Sequence, residues 1–274
     1  FPNVEASLVT NYNAAKVLAG ALSVAAEEGY VVQLNPQPWS GGEDGVSQVR
    51  ATGVDGMLLL WPSQTSDQTD QLAKSGIPVV VIAASANSTS ALTSSVDVEN
   101  VLGGRMAAQH LIDLGHQNAV YVAGALDQES VNQRYRGFCD VFAEHNLPVP
   151  KMIGFSFNPV VAEQAIDAHL SAEKMATAYF ATNDSLAISV IRIAASHGLS
   201  TPHDISVVGF DDAPIAQHMS PLLTTFVFPM ETVAETAMRQ LIALVAGETV
   251  EEVRIPPRLI RRESTAPVVK TPGR

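Results

Sequence analysis

The chain has a single cysteine in 274 residues, Cys139, so no intrachain disulfide can form, and a reducing compartment such as the cytoplasm fits. Cys139 stands in an apolar helical stretch (Gly137, Phe138, Val141, Phe142) with only Arg136 as a close cationic neighbour, the setting of a buried, inert thiol. Positive charge is scarce. Sixteen Lys and Arg face 28 Asp and Glu, a net charge of −12, which argues against this segment gripping a phosphate backbone. No apolar run approaches the roughly 20 residues that cross a bilayer. Catalytic signatures are absent too: there is no GxxxxGK[ST] phosphate loop and no GxSxG elbow. Gly103-Gly104 falls inside a helical stretch and not at a strand-to-helix turn, so it is no dinucleotide fingerprint. The histidines (His110, His116, His145, His169, His197, His203, His218) show no metal-ligand spacing. No metal or cofactor is expected.

What is present is a regular alternation of strand and helix signals in a chain that is 46% hydrophobic, long enough for two lobes with sizeable cores. In the first hundred residues, strands are expected at Val4–Thr10, Val31–Leu34, Met57–Trp61 and Ile77–Ala83. Helices are expected at Ala14–Glu28, Glu43–Ala51 and Ser66–Ser75, ended by Gly29, Gly53 and Gly76. Residues 35–42 and the small, polar run Ala84–Ser95 read as loops. The pattern then restarts with Val96–Val98, Asn100 as a helix cap, and β-α units through a last strand at Arg254–Arg262. Crossover helices predict parallel sheets. The fold class expected is α/β, with two doubly wound parallel-sheet lobes and a cleft between them.

The segment Asp204–Phe228, DISVVGFDDAPIAQHMSPLLTTFVF, concentrates the chemistry. Ile205, Val207, Val208 and Phe210 form a short run buried on both faces, and it ends at Asp211-Asp212. Ligands of open parallel sheets lie outside the carboxyl ends of strands, so this pair would either meet a bound molecule or cap the loop that follows. An acid and base pair of an enzyme is a weaker reading, because no nucleophile or metal constellation accompanies it.

An ordered series of phrases carries a resemblance: VDVENVLGGRMAAQHLIDLGHQNAVYVAG (Val96–Gly124), QRYRGF (Gln133–Phe138), ATNDSLAISVIRIAASHGL (Ala181–Leu199), DISVVGFDD, PLLTTF (Pro221–Phe226) and PPRLIRREST (Pro256–Thr265). The chain resembles the effector-binding core of the lactose repressor/galactose repressor family of bacterial transcription regulators. The resemblance implies a periplasmic-binding-protein-like fold of type I with crossovers near Val98, Phe228 and Pro257. Residues 1–97 and 229–257 would form one lobe, and residues 98–228 and 258–274 the other. It implies a DNA-binding headpiece that this sequence lacks at Phe1, so the chain looks like a truncated regulator. It also implies a homodimer, a small-molecule effector, operator DNA as the partner of the missing headpiece, and no catalysis.

Site roles carry over by position. Arg134 matches the arginine that reaches an effector's hydroxyls or carboxylate, Asp211 the acceptor in the cleft, and Phe157 a ring against the ligand. Asn183 matches an amide that meets sugar hydroxyls, while its alternative role is to cap the following helix. The first half departs from the family pattern. Ala83-Ala84 replaces an expected aspartate, and Asn11, Tyr12 and Asn13 replace an Asn-Pro-aromatic phrase, with Tyr12 and Asn13 kept as ligand-side candidates. Trp61 either stacks on a sugar face or packs under a loop. Phe228 stands where many members have glutamine. A more aromatic, less hydroxyl-rich wall is expected, and with it a sugar derivative more than a simple hexose. The alternative function is a solute-binding protein of a sugar transport system. If Arg134 and Asp211 meet the ligand, alanine at either should abolish ligand-induced stabilisation and leave the unliganded melting temperature within a few degrees.

Overall fold

The computed structural model describes residues 12–35, 39, 41–172 and 176–268. In chain order the described elements are α1 (Tyr12–Glu28), α2 (Gly42–Ala51), β1 (Met57–Leu60), α3 (Gln68–Lys74), β2 (Val79–Ile82), β3 (Thr93–Val98), α4 (Asn100–Asp113), β4 (Ala119–Ala123), α5 (Glu129–Glu144), β5 (Lys151–Gly154), α6 (Pro159–Ala172), β6 (Ala178–Ala181), α7 (Asp184–Ser196), β7 (Ser206–Val208), a short 3-10 helix (Pro214–Gln217), β8 (Thr225–Val227), α8 (Met230–Val245), β9 (Val253–Ile255) and β10 (Arg258–Ile260). The chain divides into two compact units. The first comprises Phe1–Val98, Asp127–Glu129 and Pro229–Ile255; the second comprises Glu99–Leu126, Ser130–Phe228 and Pro256–Arg274.

The first unit is built on a parallel sheet of order β1-β2-β3-β9. Every residue of β2, VVVI, is inaccessible to solvent, as a strand with helices on both sides of its sheet must be. Helix α8 packs on β2 and β3 and against α1, while α3 packs on β2 and against α2.

The second unit repeats the plan with a parallel sheet of order β5-β4-β6-β7. Alternation along its strands sorts side chains to opposite faces. Val120 and Val122 of β4 and Tyr179 and Ala181 of β6 join Ala162 and Ile166 of α6 and Leu186 and Val190 of α7 in one core. Tyr121 and Phe180 point the other way, into a ring cluster with Phe138 and Phe142 of α5 at centroid separations of 5.1–5.4 Å. An antiparallel pair, β8 with β10, completes the unit. Cys139 is half-buried, and burial raises its thiol above the ordinary value, so the thiolate is disfavoured.

Several sequence expectations need correction. Val31–Leu34 forms no strand: a strand exists only through a partner's ladder, and none of the described residues supplies one. Val4–Thr10, another early strand expected, lies outside the described residues, as do Asn11 and residues 36–38 and 40. The loop read at Ala84–Ser95 ends earlier, because β3 begins at Thr93. Its polar side chains are compatible with a buried strand because Ser94 and Ser95 donate to Glu251 O and Glu252 Oε1. The strand read at Arg254–Arg262 is two strands, β9 and β10, one in each unit. Between them lies Pro256-Pro257, which has no N–H to continue a ladder. Asn100 is not a cap but the first helical residue of α4; Glu99 precedes it.

The segment after β10 is held to the second unit by buried histidines. His110 Nε2 meets Thr265 Oγ1 at 3.0 Å, and His116 bridges Thr177 Oγ1 and Ala266 O at 2.9 and 3.2 Å. Burial, followed by the positive charge of Arg261, lowers the His110 imidazole to about 4, and burial lowers His116 as well. Both are therefore neutral in the fold, and their contribution is complete above the unfolded value near 6.5 and is lost as pH falls from there towards about 4. Between pH 7 and pH 5 His110 alone withdraws about 2 kcal/mol, while the buried Asp184 carboxyl, raised to about 8, moves stability the other way, so chemical unfolding reads the His110 contribution as a difference between wild type and variant. A His110→Gln variant should lose less between those two conditions than the wild type.

Candidate functional site

The carboxyl ends of β4, β6 and β7 in the second unit gather the residues singled out in that half of the sequence. Arg134, on α5, is buried, 4% exposed, and its guanidinium is fixed on three sides. Its Nε donates to Asn100 Oδ1 at 2.9 Å and its Nη1 to Thr182 O at 2.6 Å. The guanidinium carbon lies 3.7 Å from the centre of the Phe210 ring and 5.9 Å from that of Phe228. A guanidinium over a ring in a desolvated setting gains about 2 kcal/mol.

Close helix packing sets the position of Arg134. Helices α4 and α5 approach backbone to backbone: a Cβ added at Gly104 would lie 2.0 Å from Arg134 O, and one at Gly137 would lie 2.0 Å from Val101 O. Gly104 thus serves helix contact, while Gly103 leaves room for the Phe210 ring, 3.0 Å from where its Cβ would be, in keeping with their place inside α4. At the start of α5, the Tyr121 hydroxyl donates to Val131 O at 2.9 Å and sits beside Thr182 Oγ1.

Asp211 and Asp212 both adopt positive φ, 123° and 51°, in the turn after β7. Non-glycine residues in that region carry strain of order 1–3 kcal/mol, which persists only where surrounding contacts enforce it. Those contacts are visible. The Asp211 N–H donates to Phe226 O at 2.9 Å, and Asp212 Oδ1 accepts from Arg262 Nη2 at 2.6 Å. The Arg262 fork is further tied to Leu223 O. Asp212 is thereby committed to an ion pair, which weakens any reading of the two as a catalytic acid and base.

Beneath the turn lies Asp184, the residue after Asn183. Its Oδ2 accepts from Ala213 N–H at 2.7 Å and its Oδ1 from the Thr225 hydroxyl at 2.5 Å, while its own N–H donates to Phe210 O at 2.8 Å. Burial, then the negative charge of Asp211, raises its carboxyl to about 8.

Asn183 caps α7, its Oδ1 accepting from Leu186 N–H at 2.9 Å. The amide nitrogen is not engaged by that bond, so capping is compatible with a second role. Phe228 is 4% exposed and packs edge-on against Phe210, with 6.0 Å between centroids. Phe157 is half-buried with its ring over Gly124, where an added Cβ would lie 2.2 Å from it. Arg134, Asn183, Asp211 and Phe228 are thus linked through Thr182 and Phe210, with Phe157 at the neighbouring strand end.

Trp61, Tyr12 and Asn13 belong to the first unit. Trp61 follows β1 with φ 48° and donates its backbone N–H to Ile82 O. Tyr12 opens α1, its ring under Lys16 Nζ at 4.6 Å; Asn13 follows, half-buried. A hollow of about 1030 Å³ runs along the outer edge of β1 with Trp61 on its rim. Apolar side chains such as Val17, Leu58, Leu60 and Leu241 dominate it, so it flanks the sheet without gathering polar groups at one point. Among the described residues no group of His, Cys, Asp or Glu could hold a metal ion, and no helix is long and apolar enough to cross a membrane.

Sequence reasoning missed Phe210, Asn100 and Asp184 as parts of this site. Phe210 reads as a core strand residue, and Asn100 and Asp184 read as helix-start residues. The one available signal was an aspartate directly after a capping asparagine, where a second cap is not needed.

The periplasmic binding protein-like domain family matches residues 108–265. Catabolite control protein A of Priestia megaterium is 33% identical over 219 residues, which are 77% of this chain and 65% of that protein, so the chain spans just under two thirds of this relative's length. The structure titled transcriptional regulator CelR-cellobiose complex superposes with a TM-score of 0.81 at 25% identity, covering 94% of this chain and 81% of the other. A LacI family transcriptional regulator from Enterococcus faecium with bound ribose gives a TM-score of 0.83 at 26% identity, covering 95% and 97%. On this match, and on the phrases from Val96 to Thr265, the chain belongs to the periplasmic binding protein-like domain family, within its lactose repressor/galactose repressor group.

Proposed function

We propose that this chain is the effector-sensing part of a bacterial transcription regulator, in keeping with a repressor, and that it binds a small polyhydroxylated molecule, a sugar or sugar derivative, without turning it over. The observation that carries this reading is the Arg134 guanidinium held 3.7 Å over the ring of Phe210, the residue that precedes Asp211, which brings a planar donor fork and a carboxylate to the ends of parallel strands. Such a pair suits vicinal hydroxyls, and the rings of Phe210 and Phe157 suit the apolar face of a sugar. Relatives whose titles name cellobiose and ribose support that ligand class.

The regulator works as a cytoplasmic homodimer, its partner being operator DNA contacted by a helix-turn-helix outside this sequence. Exposed Val160, Val161 and Ile215 are apolar side chains of the kind a second copy covers. The effector shifts the DNA-binding equilibrium only by its differential affinity for two states, and operator and effector affinities change reciprocally. A transport-type solute-binding protein is the less favoured reading.

Thermal unfolding against mono- and disaccharides, sugar phosphates, polyols and nucleosides tests the ligand class. A native-state ligand at about 100 times its Kd adds roughly 2.7 kcal/mol, a rise of a few degrees in Tm. A sugar or sugar derivative is expected to give that rise. A rise with nucleosides alone would overturn the ligand class proposed.

A further inference from the structure

We propose that Asp184 is the positioning residue of the effector site, holding the turn that carries Asp211 in its ligand-ready conformation. The inference rests on the function proposed above and adds a residue that does not itself face the ligand. The turn cannot hold its own geometry, since Asp211 and Asp212 both sit at positive φ, where residues with a Cβ are strained. Three bonds from Asp184 span it: backbone N–H to Phe210 O before the turn, Oδ2 from Ala213 N–H after it, and Oδ1 from Thr225 on β8 beside it.

The surroundings are shaped for this carboxyl. A Cβ added at Gly209 would lie 2.3 Å from Asp184 Oδ1, so any larger residue there would displace it. The side chain is 1% exposed and emerges at the first residue of α7, whose capping bond is already supplied by Asn183. Helix capping therefore does not explain it. The charged groups that face it are Asp211 and Asp212 on the turn, the second paired with Arg262. Both neighbouring charges are negative, which favours the protonated carboxyl and with it a turn that Asp211's charge does not push open.

Asp184→Asn keeps an acceptor for Ala213 N–H and a group that bonds Thr225, whereas Asp184→Ala keeps neither. The test uses the whole chain with ribose and cellobiose as probes, titrated calorimetrically, together with hydrogen exchange at the Ala213 amide. Ile166→Ala, in the core of the same unit and 0% exposed, serves as a control that loses stability without touching the turn. Expected are affinity within about threefold of wild type for Asp184→Asn and Ile166→Ala, and at least about a tenfold loss for Asp184→Ala and Gly209→Ala. Ala213 should exchange fast in those last two only. Wild-type affinity should also decline as pH rises through about 8, and Asp184→Asn should lack that decline.

Undiminished affinity in Asp184→Ala, or an equal loss in Ile166→Ala, would overturn the proposal. If neither sugar binds the wild type, it is the sugar reading that fails. The exchange arm then still decides for Asp184: unchanged Ala213 exchange in Asp184→Ala overturns its role, and faster exchange supports it.

Discussion

Replacing Arg134 by alanine is expected to abolish effector-induced stabilisation and, in addition, to lower the stability of the unliganded protein by about 2–4 kcal/mol. The first effect follows from the guanidinium's place over the ring of Phe210, the residue before Asp211. The second follows from burial: the variant leaves Thr182 O and Asn100 Oδ1 without their donors, each costing roughly 1–3 kcal/mol if unsatisfied, and opens a gap over Phe210. Sequence reasoning expected the unliganded melting temperature to stay within a few degrees. The structure changes that expectation for Arg134, because its guanidinium also braces Asn100 and Thr182 in the unliganded fold. Arg134→Lys separates the roles. It keeps the charge and much of the volume but loses the planar fork, so effector affinity should fall while the unliganded protein loses less stability than Arg134→Ala. Thermal unfolding with and without the effector reads both effects.

Gly137→Ala carries the second large effect, with a sign opposite to what helix propensity gives. In an exposed helix, alanine for glycine would add about 1 kcal/mol. Here the new methyl would meet Val101 O at 2.0 Å, and the corresponding change at Gly104 would meet Arg134 O at the same distance. Backbone cannot yield as a side chain tip does, so α4 and α5 must separate. Overpacking of this kind costs about 3 kcal/mol. Separation also pulls Asn100 on α4 away from Arg134 on α5, so effector affinity should drop with stability. Urea unfolding and a ligand titration of Gly137→Ala check the two together, and a variant as stable as the wild type would show that the helices have room to spare.

Particular elements show what was legible in the sequence. Strand β1, Met57–Leu60, falls within the Met57–Trp61 read from its apolar run, and helix α2, Gly42–Ala51, begins one residue before the expected Glu43. Signals of that kind are local: a 3.6-residue stripe, a buried apolar run, a glycine after a helix. The misreadings depend on partners. Ser94-Ser95 looks like part of a polar loop until Glu251 and Glu252 are seen to receive the two hydroxyls. Val31–Leu34 looks like a strand, yet no described residue pairs with it.

The same division holds at the site. Arg134, Asn183 and Asp211 stand out by residue type and phrase. The residues that hold them, Asn100, Phe210 and Asp184, are contacts across 34, 76 and 27 positions of chain respectively, as the sequence numbers give, and no window of sequence contains them. The ion pair that ties Asp212 to Arg262 likewise spans 50 positions of chain and is not visible in the phrase.

The most direct measurement is a calorimetric titration of the wild-type chain and of Asp211→Ala with the sugar or sugar derivative that raises the melting temperature. Asp211 is half-exposed and strained at φ 123°, so its removal should leave the unliganded fold nearly as stable as before while binding weakens by at least about tenfold, or 1.4 kcal/mol. Equal affinity in the two proteins would contradict a ligand held by Asp211 at the strand ends of the second unit.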